Sequence, residues 1–307
     1  MTLDLTTALG SLTLNTPVLT ASGCAASGKE LDSFFDITSI GGIVTKSIMQ
    51  NARSGRPTPR MVETPSGMIN SIGLQGPGID EFIEKDLAWL YERGVTTVVS
   101  IAGNTAEEFV RIARRLQNHP AVSAIEINIS CPNVSNRGLV FACAPQSASE
   151  VVGQVRRAVG NDVVLLAKLT PDVTDITEIA RAVQISGADG VSVINTLLAM
   201  SISSETLKPT LGGITGGLSG PAIRPVAVRC VYQIHQALPS LPILGMGGIR
   251  SGKDALEFIA AGASAVSIGT ATFGDPLAPI RIQRELTEEL SRHGISSVSE
   301  AVGIAHE

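Results

Sequence analysis

The sequence predicts an α/β fold, a (β/α)8 TIM barrel preceded by a strand pair. Three observations carry this: eight short apolar runs, amphipathic helical stretches between most of them, and polar residues closing the runs. The runs are PVLTAS (17–22), GIVTKS (42–47), TVVSIAGN (97–104), AIEINIS (124–130), VVLLAKLT (163–170), GVSVINT (190–196), PILGMGG (242–248) and AVSIGT (265–270). Each is rich in Val, Ile or Leu and too short for a helix. Alternation of strand and helix implies a parallel sheet, because parallel neighbours need a crossover connection. Eight such units close into a barrel. A doubly wound open sheet competes, but it has about five or six strands and a GxGxxG after the first. Here ASGCAASG (21–28) follows the first run without that spacing.

Taken in order, the N-terminal stretch MTLDLTTALGSLTLN alternates apolar and polar residues and reads as a strand pair. Ile79, Phe82, Ile83, Leu87, Leu90 and Tyr91 fall at the spacings of one helical face. Thr105 with Glu108, and Ser147 with Glu150, predict capping-box helix starts. Two connections, residues 48–78 and 197–221, are long for a barrel, which marks them as lid insertions over its mouth. No composition shift or charge block interrupts the chain, so residues 1–307 are expected to form one domain.

Composition excludes several classes of function. With 44% hydrophobic and 17% charged residues the chain is neither disordered nor a coiled coil. A net charge of -5 without a basic run argues against nucleic acid, whose binding draws on clustered Lys and Arg. The uncharged stretch of residues 258–274 is broken by Gly, Ser and Thr and falls short of a membrane span. Cys24, Cys131, Cys143 and Cys230 lie far apart with no CxxC pair, which fits neither a zinc site nor a disulfide framework. A cytoplasmic protein with reduced thiols and no metal is expected.

Barrel chemistry sits at the carboxyl ends of the strands. There the runs carry Ser22, Lys46, Ser47, Asn104, Asn128, Lys168, Asn195 and Thr196. Loop or capping roles would account for the hydroxyl residues singly. Two lysines at the ends of apolar runs are harder to explain that way, since a buried ammonium needs a partner; an anionic ligand would supply one. GMGGI (245–249) and IGTAT (268–272) close the last two runs and lead into helices, the usual phosphate position in barrels, although tight turns alone would also call for glycine. Cys131, in NISCPN, is the cysteine placed at a strand end beside other polar candidates. Cys24, Cys143 and Cys230 read as inert core thiols. His119, His235, His293 and His306 fall in helices, helix ends or the tail. Glu126 shares a strand face with Asn128, which suggests structural pairing with a lysine such as Lys168.

Together TKSI (45–48), GRPTPRMVETPSGMINSIGLQGPG (55–78), NISCPN (128–133), INT (194–196), GGLSGPAIRP (216–225) and GMGGI resemble the dihydroorotate dehydrogenases across nearly the whole chain. The likeness is strongest to the soluble catalytic subunits that work with an NAD-linked electron-transfer partner. It implies an FMN at the barrel mouth and oxidation of (S)-dihydroorotate to orotate in pyrimidine biosynthesis. By the resemblance Cys131 takes the proton from C5, where membrane-bound relatives use a serine. Lys46, the stretch Asn70, Ser71, Ile72, Gly73 and Leu74, and Asn128, Asn133, Asn195 and Thr196 would hold the substrate. Asparagines suit an imide edge, offering both a donor and an acceptor. FMN would meet Ser22, Lys46, Ser47, Asn104, Asn128, Lys168, Ile194, Gly220, Gly247, Gly248, Gly269 and Thr270, with Lys168 near the flavin N1 and O2 region. FAD and [2Fe-2S] would sit only on a partner subunit, in a heterotetramer built on a homodimer of barrels. The sequence departs from the family twice, with Gly76 where GLQNPG is usual and with SNRGLVFACAP (135–145) where a KxGGxxFG-like run is usual. Competing readings are a fumarate-dependent homodimeric dihydroorotate dehydrogenase, an NAD-dependent dihydropyrimidine dehydrogenase, and a flavin-free phosphate-binding barrel.

Overall fold

The computed structural model describes residues 3–130 and 141–307. Eight parallel strands form one sheet: β1 (Val18–Thr20), β2 (Ile43–Val44), β3 (Thr97–Ile101), β4 (Ala124–Asn128), β5 (Val164–Leu169), β6 (Gly190–Val193), β7 (Ile243–Met246) and β8 (Ala265–Ile268). Their order is β1-β8-β7-β6-β5-β4-β3-β2, and a parallel bridge from Leu19 to Gly42 joins β1 to β2, closing the barrel. Every expected strand is present, shorter at its carboxyl end than the apolar run, because the closing polar residues turn toward the mouth.

Helices follow the strands and cover the barrel from outside. Ala106–Leu116, Pro145–Val159, Ile176–Ile185, Arg224–Ala237, Gly252–Ala260 and Ala278–Arg292 supply most of that layer. Their apolar stripes meet the outward strand residues in a core that includes Phe82, Phe109, Ile127 and Phe258. Two helix starts differ from expectation. Thr105 caps its helix, accepting from the Glu108 N–H, but the Glu108 carboxylate reaches back to the N–H and side-chain amide of Asn104. The Ser147 helix begins earlier, at Pro145, because proline at N1 has a preset φ and no N–H to satisfy. A π-helical stretch, Phe82–Leu87, also shifts the phase of its helix. Phe82, Leu87 and Leu90 are buried and Tyr91 is turned outward.

The amino end of the barrel is plugged. Thr7–Leu9 pairs with Leu12–Leu14 in an antiparallel hairpin whose two-residue turn places Gly10 at φ +62°. Leu9 and Leu14 are buried against Val98, Ala124, Val164 and Ala265, which begin or nearly begin their strands and point inward. The carboxyl end is roofed differently. The two long insertions, expected as lids, pair with each other. Met61–Thr64, Gly67–Asn70, Thr215–Ser219 and Leu197–Met200 make one antiparallel sheet, with Asn70 opposite Gly217. Between plug and roof the barrel interior changes from apolar to polar.

Candidate active site

A cavity of about 790 Å³ opens at the carboxyl ends of the strands, roofed by Met61, Met68, Asn70 and Ser219 of the lid sheet. That size is within the roughly 300–1,000 Å³ of small-molecule sites. Its wall brings together most of the residues singled out in the sequence. Lys46, Asn70, Ile72, Gly73, Leu74, Asn128, Asn195 and Thr196 line it, as do Ser22, Ser47, Lys168, Ile194, Gly220, Gly247, Gly248, Gly269 and Thr270. Two expected contacts fall elsewhere. Ser71 is fully buried beside the wall and takes a hydrogen bond from Arg56, since alternation along an extended segment turns it away from Asn70 and Ile72. Asn104 is exposed at the start of its helix, held by Glu108. Cys131 and Asn133 lie outside the described residues.

The floor is a connected polar layer. Asn128 donates from Nδ2 to Ser47 Oγ at 2.9 Å and accepts from Ser130 Oγ at 3.0 Å. Asn195 Nδ2 also donates to Ser130 Oγ, and Asn195 Oδ1 accepts from the Thr196 N–H at 2.8 Å. Lys168, 4% exposed, donates to Ser22 Oγ at 2.8 Å and lies 3.7 Å from the fully buried carboxylate of Glu126. The lysine pairing read from the strand pattern is therefore present. Beside Lys168, burial pushes the Cys24 thiol up to about 11, against the pull of the Lys168 and Lys46 charges.

Another part of the wall includes stretches of bare backbone at Gly220, Gly247, Gly248 and Gly269. Gly247 and Gly248 have φ of +128° and +80°, and a Cβ on Gly248 would stand 2.6 Å from the Gly220 carbonyl oxygen. These glycines permit a backbone path and a closeness that side chains would forbid. The tight turn results, and it leads into the helix Gly252–Ala260. Polar donors around a buried ammonium on one side, and bare backbone on the other, suit a flat polar ring carrying an anionic tail.

Comparison with known proteins decides the family. The dihydroorotate dehydrogenase family model matches residues 4–290. The chain is 47% identical to a protein of Desulforamulus reducens over 100% of both chains, and 47% identical to one of Geotalea daltonii over 98% of this chain and 97% of that one. It is 46% identical to one of Geobacillus sp. WCH70 over 96% and 93% of the two chains. Each is named as the catalytic subunit of dihydroorotate dehydrogenase B (NAD(+)).

The chain belongs to the dihydroorotate dehydrogenase family.

Within this dehydrogenase the Gly76 departure is structurally mild. Gly76 pairs with Arg53 through both backbone groups, and a Cβ there would meet nothing within 4 Å. The other departure overlaps residues 131–140, outside the described residues. Among the described residues no group of three or more His, Cys, Asp and Glu could hold a metal, and no helix is long and apolar enough to cross a membrane. None of the four histidines lines the cavity.

Sequence reasoning missed several wall residues. Cys24 lines the cavity instead of the core, and Cys143 is exposed, because in the turn Phe141–Cys143 it is Ala142 that packs inward; Cys230 is buried as expected. Arg250 and Phe273 stand on the wall at the glycine end. Arg250 directly follows GMGGI, which could have flagged it. Phe273 gave no signal, since a lone aromatic after a strand usually reads as core.

Proposed function

We propose that this chain is the catalytic subunit of an NAD-linked dihydroorotate dehydrogenase. It forms a single domain that holds FMN in the barrel mouth and oxidises dihydroorotate to orotate. The observation that carries the proposal is the two-sided cavity: Lys46, Asn128 and Asn195 on a polar floor, and the Gly220, Gly247, Gly248 and Gly269 backbone opposite. The chemistry of these donors fits FMN, with backbone N–H groups for a phosphate and a buried ammonium at Lys168 for the electron-rich edge of the ring. The turn that carries Gly248 packs so closely on Gly220 that a Cβ would clash with its carbonyl oxygen, so the backbone path there depends on glycine. FMN, when bound, takes up the hydrogen and electron pair leaving C6 of the substrate.

The protein's own residues do the rest. Lys46 offers a cation to the substrate carboxylate. Asn70, Asn128, Asn195 and Thr196 supply donors and acceptors to the imide edge, with Asn133 assigned to the same task from its motif. Ser22, Ser47, Ile194 and Thr270 complete the flavin's surround. Cys131, following Ser130 of the floor, is assigned as the base that receives the C5 proton; a thiol of ordinary pKa about 8.5 suits that role near neutral pH. The lid sheet excludes water while the proton and hydride leave.

The electrons pass to NAD+ through a partner subunit carrying FAD and [2Fe-2S], in a cytoplasmic heterotetramer on a homodimeric core. The names of the relatives support a partner, since each is called a catalytic subunit. The test is anaerobic titration of the purified yellow protein with L-dihydroorotate, followed by flavin absorbance. Bleaching at about one equivalent per FMN is expected; a flavin that stays oxidised would refute the substrate. Turnover with fumarate by the homodimer alone would refute the NAD-linked assembly.

A further inference from the structure

The polar layer contains a carboxylate that the proposed reaction leaves without a task. Glu126 is 0% exposed and points into the barrel from the middle of β4. Its Oε1 accepts from Ser100 Oγ at 2.9 Å and faces Lys168 at 3.7 Å, while Oε2 has no hydrogen-bond partner. Ser192, paired in register with Lys168, and Ser267 on the cavity wall are also buried with unpartnered hydroxyls. A buried charge pair with unfilled hydrogen-bonding capacity is poor for stability, and apolar residues of similar size would often do as well. Its place beneath a cavity points to a different use.

Donor and acceptor bookkeeping shows what Glu126 controls. An ionised carboxylate only accepts, so the Ser100 hydroxyl must donate to it. Ser47 accepts from Asn128 Nδ2 at 2.9 Å, so its own proton goes to Ser100 Oγ at 2.8 Å. The chain therefore runs one way, from amide through two hydroxyls to carboxylate. It leaves Asn128 Oδ1 toward Ser130 Oγ. Such chains polarise along their length, and in a low-dielectric interior their direction is costly to reverse.

We infer that Glu126 is a positioning residue of the flavin and substrate site: its charge balances the Lys168 ammonium of the cavity floor and fixes the direction of the Ser100–Ser47–Asn128 chain. The inference rests on the flavin reading above. Balance matters because a cation beside the ring favours the negatively charged reduced flavin. With Glu126 present that pull is moderated; with the charge removed and Lys168 still bound to Ser22, it is not.

The test is the midpoint potential of the flavin-loaded protein, measured against reference dyes for wild type, Glu126→Gln and Glu126→Asp. Glu126→Gln keeps the shape and removes the charge. It is expected to favour reduced flavin by about tenfold, equivalent to about 30 mV for a two-electron couple. Sulfite, which adds to electron-poor flavin, is expected to bind more tightly in the same variant. Glu126→Asp keeps the charge but lengthens the 3.7 Å contact, so a smaller rise is expected. A potential unchanged or lowered in these variants overturns the charge-balancing role.

Ser100→Ala breaks the chain and leaves the charge, so it tests the other half even if Glu126→Gln does not fold. Orotate binding, read from the flavin spectral shift, is expected to weaken about fivefold, a little under 1 kcal/mol. Unchanged binding removes the chain from the inference. A wild-type protein that takes up no FMN would instead defeat the flavin reading itself, so the two failures are distinguishable.

Discussion

Replacing Gly248 with alanine tests whether the backbone wall opposite Lys168 is the anion cradle it is proposed to be. Gly248 has φ +80°, and a left-handed conformation costs an L-residue about 1–2 kcal/mol. The added Cβ would also stand 2.6 Å from the Gly220 carbonyl oxygen and 3.2 Å from the Arg224 nitrogen, both backbone atoms that cannot rotate away. Gly220 has little room to retreat, because it packs toward Gly67 of the lid sheet, 2.8 Å from where its own Cβ would lie. Accommodation therefore requires movement of two turns, and a total loss of about 2–4 kcal/mol is expected, in the upper part of the range for single substitutions. The displaced N–H groups should weaken FMN binding at least about tenfold, or 1.4 kcal/mol. Gly94→Ala is the matched control: its φ is +67°, and its Cβ would meet nothing within 4 Å. Urea unfolding of the flavin-free proteins and FMN fluorescence quenching are the assays. If Gly248→Ala matches Gly94→Ala in both stability and FMN affinity, the steric argument and the cradle assignment are wrong.

Other expectations follow from the same structure. Gly76→Asn, which restores the usual family residue, meets open space and lacks a positive-φ penalty; melting should show stability unchanged or higher by up to about 1 kcal/mol through the unfolded state. Leu14→Ala empties part of the hairpin plug, where Leu14 is 1% exposed, and should cost about 2–5 kcal/mol in urea titrations without changing flavin affinity. Cys131→Ser should retain FMN yet slow flavin reduction by dihydroorotate by orders of magnitude near neutral pH; reduction at the wild-type rate in stopped flow would remove Cys131 from the mechanism. The Cys24 thiol holds its proton to about 11 when folded, well above the ordinary thiol range, because burial outweighs Lys168 and Lys46. The unfolded chain therefore binds fewer protons between that range and the folded value, so flavin-free protein should lose stability as pH rises from about 9 to about 11. Cys24→Ala should flatten that part of the profile.

The barrel was legible in the sequence because period and punctuation agree in every unit. VVLLAKLT reads as a strand buried on both faces, and its one charged residue marks the level at which the interior turns polar. Lys46, Asn128, Lys168 and Asn195 were legible because each closes or nearly closes such a run. Cys24 was not, because three residues of turn separate it from β1 and only the folded turn brings its sulfur to the wall. The outward turn of Tyr91 was hidden for another reason: a π-helical stretch changes phase without any breaker residue to announce it. Pairing between the two insertions could not be read either. Each looks like a loop alone, and strand partners separated by so much chain leave no local pattern.

That long-range pairing makes the roof a late product of folding. Asn70 bonds to Gly217 across 147 residues of chain, and those residues include strands β3 through β6. Bringing such distant segments together carries a closure cost that only an assembled barrel can have met. A half-made barrel can therefore hold strands and helices but has no roof and no enclosed cavity. Ligand binding and closure of the roof are therefore expected to be coupled. Ligand uptake would in turn act as a clasp on the finished molecule, joining its first quarter to its third.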